Sequence, residues 1–368
     1  METPVPIPQV DPLPLPGPVG LFKFLLLLTF TLHVLAMNCA LAGGATAVFS
    51  AIRGRSAAHP FSRRLAAELS RMLPILLSLT ITLGVAVLLF VQVLYGNLLY
   101  TSSILIGIFW ISVIALVLAA YYGYYYFEAR PGQVRGITVA AFSVVCLLAV
   151  AFIFVNNMSL VLVPARWLAM YRAHPNGLNL NLGEQSLLPR YLHMLVGSAA
   201  VLSAVLCHVG CHRLRTDREY GSWLVRRSSQ TFAAATAVQI LVGLWFLLSL
   251  PRPIGLYLLT NGAGAAVFGA ALLCALGAMF LILVGGHTSR PAPFVHSGFA
   301  LIVVTVALMV IMRQMLRTAF LHGYANPESL AVAPQTGLIV VFFVCFAFGL
   351  GTVGYMLRLL AQAKRAAG

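Results

Sequence analysis

Acidic residues are scarce in this sequence. The chain of 368 residues has 23 lysines and arginines but only 8 aspartates and glutamates, and charged residues make up 8% of it. All eight carboxylates fall in loops, tails or the ends of apolar runs. A proton pump, or an oxygen reductase that draws protons through a bilayer, needs ionisable groups in its interior. The pattern therefore argues against both, and against cation-coupled transport.

The sequence also lacks a disulfide framework and a signal peptide. Its 6 cysteines lie mostly within apolar runs. Residues 207–212 (CHVGCH) place three residues between two cysteines, whereas covalent haem attachment requires two, so we interpret this motif as a helix end. Residues 1–19 are rich in proline and contain no lysine or arginine, which excludes a signal peptide and predicts an extended tail.

Hydrophobic residues dominate the chain. They account for 61% of it, and the mean hydropathy is +0.95. Recurring apolar runs of about twenty residues predict an all-α polytopic membrane protein. The predicted spans are 21–51, 73–95, 101–127, 136–157, 191–212, 230–250, 257–285, 294–318 and 337–359. We predict one transmembrane helical bundle over residues 21–360, between a proline-rich outer tail (1–20) and a basic cytoplasmic tail (361–368).

The basic residues predict the orientation in the membrane. Alternate connections and the C-terminal end carry 16 of the 23, and the other face carries 7. The positive-inside rule then places the N-terminus outside and the C-terminus in the cytoplasm of a bacterial inner membrane. We therefore attribute the net charge of +15 to basic residues that orient the chain in the membrane and contact anionic lipid. No nucleic-acid partner is predicted.

One predicted outer connection, residues 158–190, is much longer than the others. Loops of this length are usually functional. Residues 162–173 can form an interfacial helix with Trp167 at headgroup depth, or the segment is a plain surface loop. We assign Arg166 and Trp167 as candidate quinol contacts.

Four histidines lie within apolar runs: His33, His193, His208 and His296. An imidazole in lipid is costly unless it is used, and its commonest use in an uncharged bundle is axial ligation of haem iron. Hydrogen bonding between helices is the alternative. We predict His33 and His193 as iron ligands. His208, about 22 Å along the helix from His193, and His296 are candidates for a haem in the inner leaflet.

Methionine and arginine supply further candidates near the outer end of the eighth span. Met312 and Met315 flank Arg313. Met315 is a candidate second iron ligand, although core filling also explains such methionines. Arg313 is a candidate partner for haem propionates.

Four stretches resemble subunit I of the cytochrome bd quinol oxidases. They are residues 28–35 (LTFTLHVL), 95–100 (YGNLLY), 152–157 (FIFVNN) and 190–193 (RYLH). They are similar to the first-helix ligand segment, the turn between helices two and three, the end of helix four and the fifth-helix ligand segment of that family. They cover about the first 215 residues in the same order.

The sequence departs from the same family where oxygen is reduced. Residues 104–127 contain no glutamate, the Gly-Arg-Gln-Pro-Trp motif is missing, and only residues 249–258 replace the long quinol loop. Arg313-Gln314-Met315 echoes the family's Arg-x-Met segment, but on a later helix that runs in the opposite direction.

The resemblance implies a haem-b scaffold without oxygen chemistry. We predict a cytochrome b subunit of a respiratory complex that carries one to three haems. It would act as a quinol dehydrogenase-type subunit that exchanges electrons between membrane quinol and a periplasmic multihaem or c-type cytochrome partner. It is not expected to reduce oxygen by itself. The alternative is a haem-free membrane anchor or small-molecule permease.

Overall fold

The structure is a computed structural model, and it describes residues 14–366. These residues form eleven α-helices and two short 3-10 turns, with no strand beyond one isolated bridge. The helices are α1 (Val19–Arg53), α2 (Pro60–Leu105), α3 (Gly107–Ala129), α4 (Val134–Leu160), α5 (Trp167–Ala173), α6 (Leu187–Arg213), α7 (Arg218–Leu248), α8 (Arg252–Thr260), α9 (Gly262–His287), α10 (Ala292–Phe320) and α11 (Thr336–Ala366).

Eight of these helices are long and apolar enough to cross a bilayer: α1, α2, α3, α4, α6, α7, α9 and α10. Each of the first eight predicted spans lies mainly in one of them. The ninth predicted span lies in α11, whose described apolar part, Thr336–Gly349, is shorter. The prediction of an all-α polytopic fold is therefore confirmed, and the chain is a multi-pass membrane protein.

The predicted end of the second span coincides with a break in α2. Tyr95 has φ −139° and ψ 32°, so two helical segments meet here at a kink. The predicted turn over residues 95–100 is wrong beyond this residue, because the helix resumes after Tyr95 and ends only at Leu105. The next helix, α3, accordingly begins at Gly107.

The predicted span 257–285 is divided into two helices by Asn261. This residue has an extended backbone, and its side chain accepts a hydrogen bond from the amide of Ala263, which caps the start of α9. Asparagine is favoured at this position because its side chain satisfies an amide that the helix leaves without a partner. The preceding residues form the separate short helix α8.

The long outer loop is held down by buried asparagines. Asn179 donates to the carbonyl of Leu105 at 3.0 Å, and Asn181 donates to Ser159 Oγ at 3.1 Å. The predicted interfacial helix exists as α5, but Trp167 is only 4% exposed and donates to the carbonyl of Leu160 at 3.0 Å. This indole therefore anchors the loop to the core instead of lying at headgroup depth.

The predicted inner connections meet in a charged network. Arg64 in α2 pairs with Asp217, the N-cap of α7, and Glu68 accepts from Arg213 at 3.2 Å and from the Tyr220 hydroxyl at 3.0 Å. The hydrogen bond from Arg64 and the one from the Tyr220 amide hold the pKa of Asp217 below its ordinary value. The α1–α2 and α6–α7 connections therefore lie on one face, as the alternation of basic residues predicts.

The opposite face joins the start of the chain to the connection after α10. Leu15 donates to the carbonyl of Ala331 at 2.8 Å and accepts from the amide of Ala333 at 2.9 Å. Most of the predicted outer tail, residues 1–13, lies outside the described residues. Most of the predicted cytoplasmic tail is the last turn of α11, which extends to Ala366.

Close packing of α1 against its neighbours depends on Gly44. A Cβ atom here would overlap the buried hydroxyl of Tyr124 and lie 2.9 Å from Val144 Cγ2. That hydroxyl has no hydrogen-bond partner among the described residues. We expect Gly44→Ala to destabilise the fold by about 1–3 kcal/mol, and Tyr124→Phe to be neutral and to recover part of that loss.

Thermal stability in detergent, followed by size-exclusion chromatography after heating, measures this effect. Gly269→Ala in α9 is the control, because nothing lies within 4 Å of its Cβ position. Equal stability of Gly44→Ala and the parent protein would contradict the packing described for α1.

Candidate functional site

His33 lies against the backbone of α2. Its Nδ1 is 3.0 Å from the carbonyl oxygen of Thr80, so Nδ1 carries the proton and Nε2 retains the lone pair. One turn further along α2, Gly84 leaves room for the ring, because a Cβ there would lie 2.8 Å from the imidazole Cε1. A histidine held by a carbonyl at one nitrogen is the usual arrangement of a metal ligand that binds through the other.

Arg313 reaches the same region from α10. Its guanidinium carbon lies 4.5 Å from the centroid of the Phe30 ring, and Phe30 stacks on His33 with a centroid separation of 6.3 Å. The structure thus brings together the predicted ligand His33 and the predicted propionate partner Arg313, through an aromatic ring that the sequence analysis did not single out.

A second arginine lies one turn further along α10. Arg317 is 5% exposed and lies over the Tyr95 ring at 5.0 Å. It donates to Gln314 Oε1 at 3.1 Å, and Gln314 donates to the Tyr95 hydroxyl at 2.7 Å. At the kink of α2, the Tyr95 side chain therefore lies beside the buried guanidinium of Arg317.

His193 lies at the interface of α6 and α7. Gly243 faces the ring, since a Cβ there would lie 3.1 Å from the imidazole Cε1. His193 Nδ1 is buried and has no hydrogen-bond partner among residues 14–366. The ring centroids of Phe246 and His193 are 6.1 Å apart. The guanidinium carbon of Arg190 lies 5.1 Å from the centroid of the Phe246 ring.

The interface of α6 and α7 contains two more buried polar atoms that lack partners in the described part of the chain. They are Thr236 Oγ1 and Gln239 Oε1. The Gln239 amide nitrogen would lie 3.1 Å from a Cβ at Gly197, so this side chain faces α6 one turn after His193. Polar atoms left unsatisfied in an apolar interior are costly and call for a partner.

Arg190, Arg313 and Arg317 form what we call the arginine cluster. Arg313 lies near both of the others. No ion pair found among residues 14–366 includes Arg313 or Arg317. Glu184, which is near Arg190, already pairs with Arg166 at 3.8 Å. Buried cations without a counter-charge are strongly disfavoured, so the cluster is suited to an anionic group.

His208 and His296 meet at the other end of the bundle. Their Nδ1 atoms are 3.1 Å apart and their ring centroids 4.5 Å apart. The structure therefore brings this predicted pair together, although α6 carries His208 about 22 Å away from His193. His212, which we had interpreted as part of a helix end, joins the same group.

The remaining predicted residues have structural surroundings. Arg166 donates to Asn181 Oδ1 at 3.0 Å, and Trp167 is buried in the core. Met315 is half-buried beside the arginine cluster residues Arg313 and Arg317 on α10. The assignments of Met315 as an iron ligand and of Arg166 and Trp167 as quinol contacts stay predictions.

Several residues of the site were not predicted from the sequence. Arg317 is one of them, although its spacing of four from Arg313 places both on one helical face. Tyr95 and Phe30 lie inside two of the quoted stretches, but their sequence does not show that α10 packs against them. Gly84 and Gly243 carry no signal of their own, because glycine is common in membrane helices.

Comparison with known structures identifies the fold. The chain is similar to the bd oxidase from Geobacillus thermodenitrificans, with a TM-score of 0.73 and 12% identity, over 96% of this chain and 100% of that chain. No family model matches the sequence, and no curated protein does. The resemblance that the four stretches predict is thus confirmed at the level of the fold.

Proposed function

We propose that this protein is a membrane cytochrome b, the subunit of a respiratory complex that exchanges electrons between membrane quinol and a periplasmic electron carrier. The bd oxidase fold supports a respiratory role, and the scarcity of carboxylates within the helices supports electron transfer without oxygen reduction. The observation that carries the proposal is the arginine cluster, in which the half-buried Arg313 and the buried Arg317 have no carboxylate partner among residues 14–366 and lie near the predicted ligand His33.

The residues present fit a haem at two places. His33 offers Nε2, because Thr80 occupies Nδ1, and Arg313 offers a cation to a propionate. His193 lies against a different helix with a buried nitrogen that lacks a partner, and Arg190 lies beside it across Phe246. Since the His33 ring faces α2 and the His193 ring faces α7, we propose that each histidine binds its own haem.

A bound haem b would supply reversible one-electron transfer at its iron. The protein positions the imidazoles by Gly84 and Gly243, which allow each ring to approach a neighbouring helix. Arg313 and Arg317 supply positive charge in a site of low dielectric, which favours an electron on a neighbouring group. Met315 is the proposed second ligand of one of these haems. Two haems lie within the predicted one to three, and the assignment of a third to His208 and His296 stays a prediction.

The proposed partners follow from the orientation that the basic residues predict. The arginine cluster lies at the end of the bundle where α6 begins and α10 ends, which is the predicted periplasmic side of a bacterial inner membrane. We propose that quinol is oxidised there, near Arg166 and Trp167, and that a c-type cytochrome or periplasmic oxidoreductase subunit receives the electrons. Nucleic acid is not a proposed partner.

A reduced-minus-oxidised spectrum of the purified protein tests the proposal. We expect a b-type α band, a pyridine haemochrome with about two haems per chain, and reduction by a short-chain quinol under anaerobic conditions. A preparation that is well folded by size-exclusion chromatography but contains neither haem nor α band would support the haem-free anchor or permease instead.

A further inference from the structure

Three histidines converge at the end of the bundle opposite the arginine cluster. His208 and His212 lie four residues apart on α6, so their side chains share one helical face. His296 projects from the first turns of α10. Two histidines at this spacing on one helix, completed by a third ligand from elsewhere, are a recurrent way of binding a transition metal.

The three imidazole rings lie close enough together to share one small ion, because their centroids are 4.5–5.4 Å apart. His208 Nδ1 lies 3.1 Å from His296 Nδ1, and His208 Nε2 lies 3.3 Å from His212 Nε2. Two imidazole nitrogens on opposite sides of one haem iron are about 4 Å apart, with the macrocycle between them. Two nitrogens bound to one tetrahedral zinc ion are about 3.3 Å apart, as follows from Zn–N bonds of about 2.0–2.1 Å.

His208 uses both of its nitrogens in this arrangement, one toward each neighbour. The side chains in the described residues form no ready-made metal site as they stand. A rotation of the His208 ring by 180° about its Cβ–Cγ bond places Nε2 where Cε1 had been. That position lies between those that the two nitrogens occupied before the rotation. The ring then directs one nitrogen to the space between His212 and His296, and each histidine supplies one ligand atom.

The surroundings of the three rings shape what can bind. His212 is exposed, so an ion can enter from the aqueous side, whereas Phe299 closes the site from within at 4.9 Å from the His208 ring. Arg215 is near His296 and opposes a cation. Since none of the three ligands carries charge, a hydroxide or other anion in the fourth position would offset that repulsion.

We propose that His208, His212 and His296 bind one divalent transition metal ion of the zinc class and that this ion fastens α6 to α10. Neutral imidazoles suit zinc, copper and nickel, and three of them leave a fourth position for water. The ion would lock the relative position of two helices that also carry His193 and Arg313 at their other ends. This inference does not depend on the proposed haems.

Zinc binding to the purified protein tests the inference. The protein is produced with an affinity tag that contains no histidine and is stripped with a chelator. It is then titrated with Zn²⁺ by calorimetry, with the bound metal counted by elemental analysis. We expect one zinc ion per chain. His212→Ala and His296→Ala should each weaken binding by at least about tenfold, since even loss of an outer-shell partner costs that much.

His287→Ala is the matched control, because His287 is exposed at the end of α9 on the same face. It should bind zinc as the parent does. Replacing zinc by Co²⁺ should give the visible absorption of a four-coordinate site in the parent and not in the two variants.

Two results would overturn the inference. One is a parent protein that binds no more Zn²⁺ than a variant in which all three histidines are replaced by alanine. The other is a loss of haem, instead of zinc, in His212→Ala or His296→Ala, which would assign these residues to an inner-leaflet haem. Because the zinc count and the haem count are separate measurements, absence of haem from the parent would refute only the proposed function.

Discussion

His193→Ala is expected to lower the haem content of the purified protein by about one haem per chain and to leave the haem near His33 in place. The physical reason is that the two rings lie against different helices. His193 is held by Gly243 and Phe246 in α7, whereas His33 is held by Thr80 in α2. His33→Ala should remove the other haem. Pyridine haemochrome assays and redox titrations of each variant measure both effects.

His322→Ala is the matched control for these variants, because His322 is exposed in the loop after α10 and its side chain forms no hydrogen bond to a described residue. Its haem content should equal that of the parent. If His193→Ala retains all of its haem and its spectrum, the imidazole is not a ligand. If His33→Ala and His193→Ala each remove all of the haem, a single haem is bound by both histidines, between α1 and α6.

The arginine cluster leads to the second large effect. Replacing Arg313 by glutamine removes a half-buried cation beside His33 and Phe30. If that cation favours an added electron by about 1–2 kcal/mol, the midpoint potential of the neighbouring haem should fall by about 40–90 mV. Arg313→Lys keeps the charge and should restore most of the potential, and potentiometric titration in detergent gives the values.

Arg252→Gln controls for a general change in charge, since Arg252 is an exposed basic residue at the start of α8. Its potentials should match those of the parent. Unchanged potentials and unchanged haem content in Arg313→Gln would show that the cluster does not face a redox group.

Arg317→Met separates the haem proposal from a haem-free one. In a chain without an anionic ligand, replacing this buried arginine by methionine removes an unpaired charge and should raise thermal stability. With haem bound, the same change removes a positive charge from the surroundings of the haem and should lower both haem occupancy and thermal stability. The two hypotheses predict opposite signs in one variant, so a single melting series with haem quantification decides between them.

Much of the helical layout was predictable because lipid permits few solutions. A chain that is 61% hydrophobic with apolar runs of about twenty residues must satisfy its backbone within helices. The predictions failed where local polar chemistry competes with that rule. Residues 95–100 resemble a turn, but α2 is only kinked at Tyr95, whose hydroxyl accepts a hydrogen bond from Gln314, and the helix resumes and ends at Leu105. Asn261 divides a span because its side chain caps α9.

The candidate ligands were predictable for a related reason. An imidazole in an apolar run is costly, so its presence alone makes His33 and His193 candidates without any knowledge of their neighbours. What cannot be read from one segment is which helix each ring faces. Trp167 shows the same limit. An indole at the end of a loop can lie among lipid headgroups or in the protein core, and only its hydrogen bond to the carbonyl of Leu160 shows that it lies in the core.

By itself, the sequence determined the class of the protein and its candidate chemistry. Hydrophobic runs specify spans, basic residues predict their orientation, and the placing of carboxylates and histidines leads to the proposal of electron transfer instead of proton pumping. Only the tertiary structure decided that Arg313 and Arg317 lie beside Phe30 and Tyr95 with no carboxylate partner among residues 14–366, and that His212 joins His208 and His296. The physical reason is that spacing along a helix determines which residues share a face, whereas the partner of that face depends on how helices far apart in the sequence pack together.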